Sequence, residues 1–211
     1  MGAGVGNLVL DVVGEIAKQL RSILERRSSV EVSCEGLKES AVLVAVEADA
    51  SGDLQKSSLV LTRRTNDVPT HQGQVAFAGG KVSAGDVDLW HTAIREAEEE
   101  VGLDPSSVHR VMRLDDLVTV TGYHMATMLA VIPPDTKLVA NEREVTRIFH
   151  LPIEILVDAG QWQEETKTWQ GMSMALPFLR YDDEYIWGAT AYVLWTLASR
   201  LRGEPRRETI R

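Results

Sequence analysis

Three glutamates stand at positions where their side chains could share one divalent cation. Glu96, Glu99 and Glu100 lie in a single acidic run, together with Glu98. On a helix that turns about 100° per residue, the first three fall on one arc, whereas Glu98 falls on the far flank of the apolar stripe. Carboxylates this close repel one another, and a hard cation that prefers oxygen ligands, such as Mg²⁺ or Mn²⁺, would remove the repulsion. The alternative for such a run is a solvated acidic face.

A glycine pair precedes this helix and bears on that choice. Gly79 and Gly80 stand next to each other, upstream of the acidic run. Because they carry no side chain, adjacent glycines allow backbone N–H groups to approach a phosphate closely. Glycines and carboxylates together therefore favour a metal-assisted phosphate site over a solvated acidic face.

The segment 80–103 resembles the Nudix box, which reads glycine, five residues, glutamate, seven residues, then Arg-Glu-aliphatic-x-Glu-Glu-x-Gly-aliphatic. Residues 95–103 match its second half at every fixed position, with Ala97 as a small apolar substitute. The first half differs, because Asp86 stands where the box has glutamate, and eight residues separate it from Arg95. The resemblance therefore extends to the glutamate cluster and assigns no role to Asp86.

The resemblance implies a hydrolase that cleaves a pyrophosphate bond in a nucleoside-diphosphate derivative. Glu96, Glu99 and Glu100 would bind Mg²⁺ or Mn²⁺, and Arg95 would orient a glutamate through a salt bridge. A bound metal ion neutralises charge on phosphate oxygens and lowers the pKa of a water molecule. The general base is open between Glu99 and Glu144.

The sequence upstream of the box resembles a signature of coenzyme A pyrophosphatases. That signature reads Leu-Thr-x-Arg, a loop, and His-x-Gly-x-Val-x-Phe-Pro-Gly-Gly. Residues 61–64 and 71–80 match it, except that Ala78 replaces the proline, and the similarity extends over about residues 40–200. The resemblance implies that coenzyme A or a related thioester is hydrolysed to 3′,5′-ADP and 4′-phosphopantetheine.

Polar side chains in that signature are candidates for binding the substrate. Arg63 and Arg64 end a strand-like run and could hold a phosphate, with the 3′-phosphate as a target. The alternative is that both are solvated strand-end arginines. His71 could contact the substrate or, alternatively, fix the backbone of its loop. Together with Gly79 and Gly80, these residues form the predicted substrate-binding set.

Two other functions remain open on the sequence. The chain could be a Nudix hydrolase for another substrate, such as ADP-ribose, NADH or a nucleoside triphosphate. It could also be a Nudix-fold module that senses a nucleotide without cleaving it. The intact glutamates argue against a sensor, because a sensor does not need a crowded metal cluster.

The charge of the chain restricts its partners. The 211 residues include 22 Lys and Arg against 31 Asp and Glu, which gives a net charge of −9. An acidic surface repels a phosphate backbone, so we expect no nucleic-acid partner. It also repels a small phosphorylated substrate, so bound metal or a few placed cations must offset that charge locally.

Cysteine usage and hydropathy bear on the compartment. Cys34 is the single cysteine, which excludes an intramolecular disulfide, and its strand-like context predicts an inert thiol. The sequence has neither a secretory signal nor an apolar run of the ~20 residues that span a bilayer. These features predict a cytoplasmic protein without a membrane partner.

Hydrophobic periodicity predicts the elements that position these residues. Helices are expected at residues 7–27, 89–101, 153–159 and 189–202. Strands are expected at residues 40–47, 57–62, 74–77, 111–121, 125–132, 145–151, 162–167, 172–179 and 184–187. This order indicates one α+β domain. The resemblance implies the Nudix fold, a mixed β-sheet sandwiched between α-helices, with an extra N-terminal helix.

The chain divides into a helical extension at residues 1–28, a hydrolase domain at 29–203 and a charged tail at 204–211. The extension carries an apolar stripe that could pack on its own domain or on a second copy. A homodimer is therefore one of two expected outcomes. The residues of the stripe are Leu10, Val13, Ala17, Leu20 and Leu24.

Overall fold

Runs of strands stand between the helices of the chain in the computed structural model. The model describes residues 3–33, 35–67, 71–119, 121–169 and 172–205. The helices are α1 (Ala3–Leu24), α2 (Leu89–Val101), α3 (Ile153–Val157) and α4 (Gly188–Leu201). The strands are β1 (Lys38–Glu47), β2 (Ser58–Arg64), β3 (Val75–Ala76), β4 (Ala78–Lys81), β5 (His109–Arg113), β6 (Leu117–Val118), β7 (Tyr123–Ile132), β8 (Val145–Pro152), β9 (Trp162–Trp169), β10 (Met172–Tyr181) and β11 (Glu184–Ile186). Cys34 lies outside the described residues, so its interpretation as an inert thiol stays a prediction.

A mixed eight-stranded sheet forms the centre of the fold, which confirms the predicted α+β class. β1 and β7 run parallel, from Lys38 opposite Tyr123 to Glu47 opposite Ile132. The other pairings in this sheet are antiparallel: β2 and β4 with β1, β5 and β6 with β7, and β3 and β8 with β2. β9, β10 and β11 form a separate antiparallel sheet. Because β4 leads directly into the loop before α2, the glycine pair and the glutamate helix meet beside β1.

Side chains alternate across β1 and so divide the core into two layers. Ala41, Leu43 and Ala45 pack in the cluster that contains the apolar face of α2. Val44 and Val46 point to the opposite side and pack in the cluster shared with α1 and α4. Helices therefore cover both faces of the sheet, as the resemblance implied.

The glutamate helix α2 has the predicted bounds, and its two ends show why. Asp88 precedes it and accepts a hydrogen bond from the His91 N–H at 2.6 Å, which caps the first turn. Gly102 follows it in the left-handed conformation, at φ 64°, which ends the helix.

The strand predicted at residues 111–121 was wrong in its extent. β5 and β6 are separated by residues 114–116. The Leu114 N–H donates to the Thr127 carbonyl of β7 at 2.8 Å, whereas Asp115 and Asp116 bond to the segment after α1. The Asp115 carboxylate accepts from the Val30 N–H at 2.9 Å, and the Asp116 N–H donates to the Val30 carbonyl at 2.9 Å. These bonds satisfy the backbone where strand pairing stops.

The N-terminal helix packs on its own domain. Val13, Ala17, Leu20 and Leu24 of the predicted stripe are buried, together with other core residues of α1. Leu10 was predicted wrongly, since it is 69% exposed. The covered stripe therefore gives no reason to expect a second copy of the chain. No helix within the described ranges is long and apolar enough to cross a membrane.

A pair of truncations on α1 tests this docking. Ile16 is fully buried in the core, so Ile16→Ala should lower the free energy of unfolding by about 2–5 kcal/mol. Leu10→Ala should change it by no more than about 0.5 kcal/mol, because Leu10 faces solvent. Urea denaturation of both variants measures the difference. Equally small effects of both substitutions would show that the packing of α1 on its own domain does not stabilise the protein.

Candidate active site

The glutamates of α2 differ sharply in their exposure. The side chain of Glu100 is 2% exposed and that of Glu99 is 55% exposed. The exposure of Glu96 lies between these two values. Glu98 is exposed, in agreement with its predicted place outside the cluster. The helix thus presents a graded acidic edge beside its apolar face, with Glu100 innermost.

Arg95 holds two of these carboxylates through one end of its guanidinium group. Its Nη1 lies 2.9 Å from the Glu96 Oε1 and 3.3 Å from the Glu99 Oε1. Its Nη2 also donates to the carbonyl of Lys81 at 3.1 Å. The resemblance implied a salt bridge between Arg95 and a glutamate. In the structure the guanidinium group of Arg95 pairs with both Glu96 and Glu99.

The other end of Arg95 is fixed by Asp86, a residue to which the sequence assigned no role. Arg95 Nε donates to Asp86 Oδ1 at 2.9 Å, and Nη2 donates to Oδ2 at 3.0 Å. The Asp86 carboxylate is 1% exposed and also accepts from Ser83 N–H and the Thr92 hydroxyl. The guanidinium group of Arg95 holds the pKa of Asp86 well below its usual range. The acidic side chain at this place in the motif was the available signal for its role.

Glu100 is the most buried carboxylate of the site. Its Oε1 accepts from Arg64 Nη1 at 3.2 Å, and its Oε2 accepts from the Gly79 N–H at 3.2 Å. Its pKa is raised to about 7, first by burial and also by the charges of Glu144 and Glu96, against the lowering effects of Arg64 and the Gly79 N–H. Arg64 thus lies within the carboxylate cluster.

The glycine pair lies in strand β4, which begins just beyond the strand predicted at residues 74–77. A side chain on Gly79 would collide with β1, because a Cβ there would lie 2.5 Å from the Ala41 carbonyl oxygen and 2.7 Å from the Val42 Cα. A Cβ on Gly80 would lie 2.5 Å from the Glu96 carboxylate. Close packing explains both glycines, and the Gly79 N–H is directed to Glu100.

Glu144 joins the cluster from the turn that precedes β8. Its segment is attached to the end of α2 by Asn141, whose N–H donates to the Glu100 carbonyl at 2.9 Å and whose Nδ2 donates to the Glu99 carbonyl at 3.3 Å. The Glu144 carboxylate is half-buried, and its charge raises the pKa of both Glu96 and Glu100. The two candidate bases, Glu99 and Glu144, therefore lie at the same site.

Arg63 and His71 have other partners in the structure. Arg63 Nε donates to the buried Glu184 carboxylate at 2.9 Å, and its Nη2 donates to the Asp183 carbonyl at 3.1 Å. The exposed ring of His71 lies 2.9 Å from Gln74 Oε1. Residues 68–70 of the same loop lie outside the described residues. Contact of Arg63 or His71 with a substrate stays a prediction, which these pairings do not favour.

The donor set at the site fits a hard divalent cation. Within the described parts of the chain, no three acidic, histidine or cysteine side chains are grouped as metal ligands, and Arg95 and Arg64 hold the carboxylate oxygens. Glu96 and Glu100 nevertheless have raised pKa values, caused first by burial, so these arginines compensate their ionised forms only in part. All the available donors are carboxylate oxygens, which Mg²⁺ and Mn²⁺ prefer.

Comparisons with known proteins match the chain to one family of domains. A NUDIX domain model matches residues 38–180, which include every residue of the carboxylate cluster. Curated relatives from Yersinia pestis and Yersinia pseudotuberculosis, each described as an uncharacterized Nudix hydrolase NudL, are 33% identical over 144 residues, covering 68% of this chain and 72% of the relative. The crystal structure of DR0079 from Deinococcus radiodurans is 14% identical, with a TM-score of 0.49 over 74% of this chain and 80% of that one.

Alanine substitutions at Gly79 and Gly80 distinguish an effect on stability from an effect on the rate of hydrolysis. Gly79→Ala should lower the free energy of unfolding by about 1–3 kcal/mol, because the new Cβ meets rigid backbone of β1. Gly80→Ala should stay folded, since the Glu96 side chain can move, but should slow hydrolysis by about 10²-fold through that displacement. Denaturation and initial rates measure both effects.

The control for these variants is Gly85→Ala, where a Cβ would meet nothing within 4 Å. It should leave stability and rate unchanged. A Gly80→Ala enzyme with full activity would contradict the placement of Glu96 against this strand.

Proposed function

The chain belongs to the Nudix hydrolase family, and we propose on this premise that it hydrolyses the pyrophosphate bond of coenzyme A or its thioesters. The products are 3′,5′-ADP and 4′-phosphopantetheine, or its acyl form. The substrate is a small nucleotide derivative that approaches an acidic protein, so its charge is offset at the site itself.

One observation carries the choice of substrate. Three described residues of the segment that resembles the coenzyme A pyrophosphatase signature, Arg64, Gly79 and Gly80, border the carboxylate site. Arg64 and Gly79 donate to Glu100, and Gly80 lies against Glu96. The signature therefore lies where it can affect what binds beside the glutamates, which supports a role in substrate selection.

The residues of the site divide into three roles. Glu96, Glu99 and Glu100 would hold Mg²⁺ or Mn²⁺, which supplies positive charge to the pyrophosphate oxygens and lowers the pKa of the attacking water. Asp86 and Arg95 position these carboxylates. Arg64, Gly79 and Gly80 border the place where phosphate oxygens would lie.

We assign the general base to Glu144. Glu99 is more than half exposed and tied to Arg95, so its charge is already partly neutralised. Glu144 is half-buried, comes from a separate element, and interacts electrostatically with Glu96 and Glu100. It can therefore accept a proton from water at the edge of the cluster without leaving its segment.

A substrate panel tests the proposed reaction. Purified protein with Mg²⁺ or Mn²⁺ is incubated with coenzyme A, acetyl-coenzyme A, ADP-ribose, NADH and nucleoside triphosphates, and the products are identified by mass. We expect 3′,5′-ADP and the matching pantetheine phosphate from the first two. Cleavage of ADP-ribose or NADH without cleavage of either coenzyme A compound would replace the proposed substrate.

Glutamine substitutions test the assignment of the carboxylates. Glu96→Gln, Glu99→Gln and Glu100→Gln should each lower kcat/KM by at least about 10²-fold, because each removes charge from the metal-binding set. Glu144→Gln should lower kcat by about 10²-fold with little change in KM, as expected for a lost general base.

The matched control is Glu98→Gln, a change of the same kind on the same helix but outside the cluster. It should keep full turnover. Full turnover in Glu99→Gln and Glu100→Gln as well would mean that the activity comes from a contaminant or from another site.

A further inference from the structure

We propose that Lys38, Lys81 and Tyr123 form a second anion site, separate from the carboxylate cluster, that binds a phosphomonoester group of the substrate. The inference rests on the proposed function for the identity of that group, which would be the 3′-phosphate of coenzyme A. The three residues are called the lysine–tyrosine site below.

The sheet register brings these residues to one face. Lys38 lies opposite Tyr123 in the β1–β7 pair, and Lys81 lies opposite Ser40 in the β1–β4 pair. Directly paired residues share a face, and so do residues two apart on one strand, so all three side chains project on the same side. The Nζ atoms of Lys38 and Lys81 each lie 5.7 Å from the centroid of the Tyr123 ring. One aromatic ring thus gathers two ammonium groups.

The two ammonium groups lack a carboxylate partner in the parts of the chain that the structure describes. Each ammonium group lies over the Tyr123 ring instead. Both lysines are exposed, and Tyr123 is half-buried between them. Like charges held near one ring repel each other, and the attraction of both ammonium groups to a bound anion would offset that repulsion. The chain has a net charge of −9, so these two ammonium groups give this part of the surface the opposite sign of charge from the protein as a whole.

The lysine–tyrosine site is fixed in position relative to the carboxylates. Lys81 directly follows Gly80, which lies against Glu96, and the Lys81 carbonyl accepts from Arg95 Nη2 at 3.1 Å. Because side chains alternate along β4, Lys81 projects to the side opposite Glu96. The two sites therefore lie on opposite sides of β4. Within the described residues β4 pairs with β1, so a substrate with phosphates at two places would reach both sites around the other edge of this strand.

The arginines that the sequence offered for a phosphate are already paired. Arg63 is bonded to Glu184, and Arg64 is bonded to Glu100. Lys38 and Lys81 carry positive charge that no described carboxylate neutralises. A doubly charged phosphomonoester matches two neighbouring ammonium groups better than a neutral ribose hydroxyl does. Coenzyme A carries such a group on its ribose, whereas 3′-dephospho-coenzyme A, ADP-ribose and NADH do not.

Kinetics with a matched substrate pair test the site. In the wild type, coenzyme A should have a lower KM than 3′-dephospho-coenzyme A. The double variant Lys38→Gln/Lys81→Gln should raise the KM for coenzyme A by about 10-fold or more, as expected for lost charged hydrogen bonds, with kcat and the dephospho substrate little affected. Lys18→Gln, at an exposed lysine of α1, is the control and should change neither substrate. Equal losses for both substrates would overturn the inference, since they would place the lysines on the scissile pyrophosphate.

Substitution of the ring tests the arrangement as well as the charge. Tyr123→Phe keeps the aromatic face and should keep the preference for coenzyme A, whereas Tyr123→Leu should weaken it. Full preference in Tyr123→Leu would contradict the role of the ring in gathering the lysines.

A binding measurement decides the inference even if coenzyme A is not cleaved. Calorimetric titration of the metal-free protein should show tighter binding of 3′,5′-ADP than of 5′-AMP, and the double lysine variant should remove the difference. Equal affinities in the wild type would overturn the lysine–tyrosine site. Absence of coenzyme A hydrolysis, with the affinity difference intact, would instead reject the proposed function and keep the phosphomonoester site.

Discussion

One guanidinium group, held between an aspartate with a buried carboxylate and two glutamates, positions the acidic side chains of this site. Asp86 takes up Nε and Nη2 of Arg95, which leaves Nη1 to hold Glu96 and Glu99. Since the aspartate is buried and bonded on several sides, the arginine has little freedom. The position of the glutamates is therefore fixed by the loop before α2 as much as by the helix itself.

Charge is balanced locally in this site rather than over the protein. The chain is acidic overall, yet it gathers further carboxylates at the end of one helix and the adjoining segment. Arg95 and Arg64 neutralise part of that charge, and the buried Glu96 and Glu100 still have raised pKa values. A divalent cation would complete the balance. In the proposed function, such a cation would let the phosphate groups of the substrate approach these carboxylates.

The sequence predicted the features that depend on local chemistry and missed those that depend on partners distant along the chain. The bounds of α2 were predicted correctly, and both of its ends, at Asp88 and Gly102, depend on neighbours in the sequence. The packing reason for a glycine at position 79 was missed, because a Cβ there would collide with β1, about 40 residues earlier in the chain. Arg63 could not be assigned from its neighbours, since Glu184 approaches it through folding alone.

Mn²⁺ binding followed by electron paramagnetic resonance tests the central claim most directly, without substrate or turnover. The wild type should bind the ion, the helix control with glutamine at position 98 should bind it equally, and loss of the carboxylate of Glu96 or Glu100 should weaken binding by about 10–100-fold. Equal Mn²⁺ affinity in all these proteins would contradict a metal site built on the carboxylates that Arg95 and Arg64 hold.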